Sequence, residues 1–144
     1  MDAAPALTDR SETIGRLDGL QRALVGLEIV LAVSAYGGSI GLMTGSMSTG
    51  SYARRLPFGS VVLGGAALGL LVAVPATVAA VLTLRRRPGA AVSHLVVGAM
   101  LMGWILVQVA FIGLVSGLQP VMFCWGAAIM ALGWLDRRRA PTSR

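Results

Sequence analysis

Residues 104–120 read WILVQVAFIGLVSGLQP. Through residue 115 the amide of Gln108 is the one strongly polar side chain beside the indole of Trp104. Such a run can leave water only as a helix, whose backbone groups satisfy one another. It ends in Ser116-Gly117-Leu118-Gln119-Pro120. A proline has no N–H to give and fits the first turn of a helix, while the residue before it is pushed away from helical geometry. The stretch therefore predicts a helix, a tight turn over 116–119, and a new helix opening at Pro120 with Gln119 outside it.

Working outward, further apolar runs of the same kind fill most of the chain. Spans are expected at about 23–43, 60–84, 91–115 and 120–135, since about 20 apolar residues cross the hydrocarbon layer. The fourth is short, roughly 22 Å at the helical rise, with Trp134 as its headgroup anchor. Pro75 lies inside the second span and predicts a kink whose freed carbonyl needs another partner. Arg85-Arg86-Arg87-Pro88-Gly89 stops that span. The longest connection, TGSMSTGSYARRLPFG over 44–59, is broken by Gly45, Gly50 and Pro57, with Tyr52 and Phe58 suited to the headgroup level.

Residues 1–22 form a polar N-terminal segment. Thr8, Asp9 or Ser11 can cap a short amphipathic helix there, with Ile14, Leu17, Leu20 and Leu24 at helical spacing, either joined to the first span or lying on the membrane surface. Val33-Ser34-Ala35 faintly resembles a signal-cleavage site. The preceding tail is not net basic and Glu28 interrupts the would-be core, so the span is expected to stay uncleaved. Residues 136–144 are a basic tail.

Composition agrees with this division. The chain has 144 residues, 56% hydrophobic and only 12% charged, whereas a soluble domain carries about 25% charge. Its 19 glycines sit mainly within and beside the apolar runs, which suits closely packed membrane helices. All twelve basic residues are Arg. They flank the runs instead of forming one stripe, which argues against a nucleic-acid partner. Four spans place ten of them on the side of both termini and leave Arg54 and Arg55 on the other. That asymmetry sets the termini in the cytoplasm. The expected fold is an all-α, four-helix transmembrane bundle, multi-pass in the inner (plasma) membrane, with the lipid bilayer as its first partner.

Few chemistries fit. One Cys, Cys124, gives no internal disulfide and no C-x-x-C pair; one His, His94, gives no bis-His ligation. The acidic residues make no Glu-x-x-His pattern. No metal, no cofactor and no enzymatic activity are expected.

Three sets of residues nevertheless ask for partners. Glu28 lies inside the first span, and His94 lies at a similar depth in the third. A carboxylate in lipid costs a few kcal/mol unless paired, protonated or snorkelling. Glu28 and His94 can meet as a polar pair, or Glu28 can turn to Arg16 or Arg22. Gln108 sits deep in the third span, with Trp104 and Gln119 on one helical stripe and Tyr36 at matching depth in the first span. These four residues, Trp104, Gln108, Gln119 and Tyr36, are either packing groups or the lining of an outward-facing polar pocket for a lipid or small amphiphile. Gly37, Gly41 and Gly45, with Gly65 and Gly69, form small-residue stripes for packing within the bundle or against a second copy.

Gly37-Gly38, Pro57-Phe58, Trp104-Ile105, Gln108, Ile112-Gly113, Ser116 and Leu118-Gln119-Pro120 also compose a pattern, WIxxQxxxIGxxSxLQP in the third span. With it the chain resembles a widespread uncharacterised family of small four-span bacterial membrane proteins over most of 23–135. It departs in having Leu63-Gly64-Gly65 where such proteins often carry Pro-Gly. The resemblance implies architecture and membrane location, and transfers no catalytic residues. The functional expectation is a structural or accessory membrane protein that binds a partner membrane protein or itself, with lipid or amphiphile binding or transport as the alternative.

Overall fold

The computed structural model describes residues 17–47, 60–114 and 116–139. They form four sequential helices: α1 (Gly19–Met43), α2 (Val61–Leu84), α3 (Ala90–Ile112) and α4 (Leu118–Arg139). All four are long and apolar enough to cross a membrane, the build of a multi-pass membrane protein. The expected N-caps at Thr8, Asp9 and Ser11, most of the amphipathic segment, and the Tyr52, Arg54, Arg55 and Phe58 cluster lie outside the described residues.

Local chemistry sets the helix ends. Asp18 caps α1 by accepting from Gln21 N–H at 2.8 Å, so the helix begins four residues before the expected 23. At its far end Thr44 donates its hydroxyl to Ile40 O at 2.8 Å, and Gly45 turns with φ 72°. Ser60 caps α2. Within α2, residues Gly69–Ala73 widen to a π turn, and Val74 N–H bonds Gly69 O five residues back. That wide turn sits one residue before Pro75, where a regular turn would drive the ring into the preceding carbonyls. Gly113, at φ 79°, ends α3 at Ile112, three residues short of the expected 115.

The fourth helix is longer than the expected span of 120–135. α4 has 22 residues, about 33 Å. Asp136 and Arg137 to Arg139 do not stop it. Asp136 is buried and accepts from Gln21 Nε2 of α1 at 3.4 Å, and Arg138 lies over the Trp134 ring at 3.5 Å. Gln119 is also inside this helix rather than before it. The bias that Pro120 imposes on Gln119 is overcome by two side-chain bonds: Gln119 Nε2 donates to Gly113 O at 3.1 Å, and Gln119 Oε1 accepts from Ser116 N–H at 3.3 Å.

Two seams of small residues bring the helices together. In α1–α2, Ser39 donates to Gly65 O at 2.7 Å, and a Cβ on Gly65 would fall 2.8 Å from Ser39 O. In α3–α4, a Cβ on Gly98 would fall 2.6 Å from Gly126 O, and one on Gly133 would fall 2.6 Å from His94 Cβ. Within the bundle the expected stripe of Gly37, Gly41 and Gly45 does not pack against one neighbour. Gly37 faces open space, Gly41 meets the Met47 side chain, and Gly45 lies past the helix end. Leu24, Val72, Ala76, Val97, Leu101 and Ile129 form the shared core. Large apolar side chains such as Val33, Leu70 and Leu106 point outward, as a lipid-facing surface requires.

Candidate functional site

Two features stand out, one toward each end of the bundle. At the Arg-rich end, α1, α3 and α2 meet on a line of polar groups. His94 Nδ1 lies 2.6 Å from Glu28 Oε1, and His94 Nε2 lies 3.1 Å from Thr83 Oγ1. Thr83 Oγ1 in turn donates to Ala79 O at 3.0 Å. Glu28 and His94 are fully buried and Thr83 nearly so. The two residues named as a polar pair are therefore brought together. Of the two arginines considered as partners for Glu28, Arg22 is exposed and Arg16 lies outside the described residues.

Counting protons defines this line. The Thr83 hydroxyl hydrogen is committed to Ala79 O, so its oxygen accepts from His94 Nε2–H. The 2.6 Å contact between Nδ1 and Oε1 then holds one more proton, on the imidazole or on the carboxyl. Either placement leaves the pair electrically neutral, which is what a buried site in lipid requires. Glu28 Oε2 is buried with no partner among the described residues.

Sequence reasoning did not find Thr83. A Thr in an Ala-rich run carries no signal of which neighbour it faces. The Gln21–Asp136 bond across α1 and α4 was missed for the same reason.

At the other end the four helices line a half-open cavity of about 340 Å³. Leu31, Val72 and Leu101 form its inner end, and Gln108, Ser116 and Gln119 lie toward the turn joining α3 to α4. Trp104 lines it as well, though its indole Nε1 is buried without an acceptor among the described residues, as is Trp125 Nε1. Gln108 is half-buried, and no described residue bonds its amide. Gln119 lines the cavity while its amide clamps the turn.

Tyr36 is not part of this lining. It is exposed, with its hydroxyl 3.5 Å from Thr77 Oγ1 on the flank of α2. The cavity face of α1 runs through Leu31, Ser34, Ala35, Gly38 and Leu42. One residue on from Ala35 rotates the side chain about 100° away.

Glu28 and His94 do not line the cavity. No group of three or more His, Cys, Asp or Glu side chains able to hold a metal occurs among the described residues. Comparison with known proteins finds no matching family model, no matching curated protein and no matching solved structure.

Proposed function

We propose that this chain is an integral membrane protein of the inner membrane whose working part is the cavity at the Pro120 end, where it binds a lipid or small amphiphile. The observation that carries the reading is a half-open, apolar cavity of about 340 Å³ lined by all four helices. The walls are apolar, and water has few partners there. An apolar chain from the bilayer is the natural filler. The volume also lies in the range of small-molecule sites.

The accessory role expected from sequence rests on small size and short connections. The cavity favours binding over it. The arginine distribution sets the Asp18 and Arg139 ends in the cytoplasm, so the cavity belongs to the outer half of the membrane.

Native mass spectrometry of protein extracted in mild detergent tests this. Wild type is expected to carry lipid-mass adducts. Ala35→Phe, which fills the cavity from α1, is expected to lose them while remaining folded. Equal adducts on both proteins would sink the reading, and a bare wild type copurifying with another membrane protein would restore the accessory role.

A further inference from the structure

The lining of the cavity specifies the kind of ligand it accepts. Resting on the binding reading above, we infer that the ligand is a single-chain amphiphile with an uncharged, hydrogen-bonding head, held with its head at Gln108 and its chain toward Leu101.

Three observations support this. The first is charge. The described lining contains no Asp, Glu, His, Lys or Arg. The buried Glu28–His94 pair lies toward the opposite end of the bundle and does not line the cavity, so it supplies no counter-charge to a charged head there. A phosphate, carboxylate or ammonium placed inside would be desolvated without a counter-charge, which apolar surroundings penalise heavily.

The second is the amide on offer, beside the smaller hydroxyls of Ser34 and Ser116, of which Ser116 Oγ already accepts from Leu118 N–H. Gln119 is engaged with the turn backbone and Trp104 Nε1 is shut away, whereas the Gln108 amide has no partner among the described residues. An amide both donates and accepts. It therefore suits a hydroxyl, ester or amide head, and a ligand that lacks one leaves it unpaired.

The third is length. Gln108 and Leu101 are seven residues apart on α3, so the apolar well below the amide is about 10 Å deep, room for a chain of roughly eight to ten carbons. The volume, at the small end for ligand sites, fits one chain rather than two.

Competition in phosphatidylcholine nanodiscs tests the inference. Radiolabelled 1-monodecanoylglycerol is the probe, displaced by unlabelled monodecanoylglycerol, decanoate at pH 8, or decyltrimethylammonium. Saturable binding is expected, displaced by the neutral compound at least tenfold more effectively than by either charged one. Gln108→Leu is expected to weaken binding about tenfold, the scale of one well-made hydrogen bond. Leu101→Phe, which raises the floor without touching the amide, is expected to shift preference toward six- to eight-carbon chains. Equal displacement by decanoate or the ammonium compound would overturn the neutral-head inference and leave cavity binding standing. Unchanged affinity in Gln108→Leu, with Leu101→Phe still shifting the preference, would overturn the head placement alone. If no amphiphile of any charge binds saturably, the binding reading itself fails.

Discussion

Replacing both members of the Glu28–His94 pair with leucine should cost far less stability than replacing either one. In His94→Leu the carboxyl of Glu28 loses its only partner among the described residues. Oε2 already has none among the described residues, so both oxygens are then buried and unpaired. Breaking a buried pair this way costs about 3–5 kcal/mol. In Glu28→Leu, Nδ1 of His94 is orphaned while Nε2 keeps Thr83, for about 1–3 kcal/mol. In the double variant neither group remains. Thr83 retains its bond to Ala79 O, and leucine keeps the Cβ that packs on Gly133. The expected loss is then within about 1–2 kcal/mol of wild type, because replacing both partners by apolar groups of similar size is close to neutral. An ordinary interhelical hydrogen bond in a membrane averages only about 0.6 kcal/mol, too little to produce this pattern. Steric trapping in bicelles measures the unfolding free energies. Additive losses, about 4–8 kcal/mol in the double variant, would refute the reasoning and show that the two side chains act independently.

Three further outcomes are expected. Gly98→Ala should destabilise by about 1–3 kcal/mol, since its Cβ would sit 2.6 Å from Gly126 O, whereas Gly37→Ala, with nothing within 4 Å, should stay within about 0.5 kcal/mol of wild type in the same assay. Gln119→Leu should cost about 1–3 kcal/mol by removing both side-chain bonds to the α3–α4 turn, with faster hydrogen exchange confined to residues 113–118. In a Cys124→Ser background, a cysteine placed at Ser116 should react with an impermeant maleimide in whole cells, and one at Arg139 only after permeabilisation; the reverse pattern would overturn the assigned orientation.

The features legible in the sequence were those that lipid enforces. Four apolar runs bounded by arginines or turns must be helices, because no other local structure satisfies their backbone in lipid. The Glu28–His94 pair was one of two readings the sequence offered, the other turning Glu28 to Arg16 or Arg22, because two ionisable side chains at one depth each need what the other offers. What failed was azimuth. Tyr36 matches Gln108 in depth but not in direction, since depth advances about 1.5 Å per residue while direction turns about 100°. The seams at Gly98, Gly126 and Gly133 were invisible for a related reason: which glycines meet depends on helix rotation and register, set jointly by all contacts. The fourth helix runs past the expected span end at Leu135: Asp136 is buried against Gln21 within a helix that continues to Arg139, a contact across helices that the sequence does not display.

The position of the polar line bears on the cavity. Membrane helices gain no hydrophobic energy by associating, so a void between them invites the helices to slide together. Here the α1–α2 and α3–α4 seams fix neighbours in pairs, and the Glu28–His94–Thr83 line fixes α1, α3 and α2 in register at one end. A leucine layer of equal volume packs comparably but in more than one register, since dispersion contacts are less directional than a 2.6 Å hydrogen bond. On this argument the line contributes specificity more than stability. The double leucine variant should remain folded yet bind monodecanoylglycerol less tightly, because part of its population has closed the cavity. Unchanged binding in that variant would mean that the seams alone hold the cavity open.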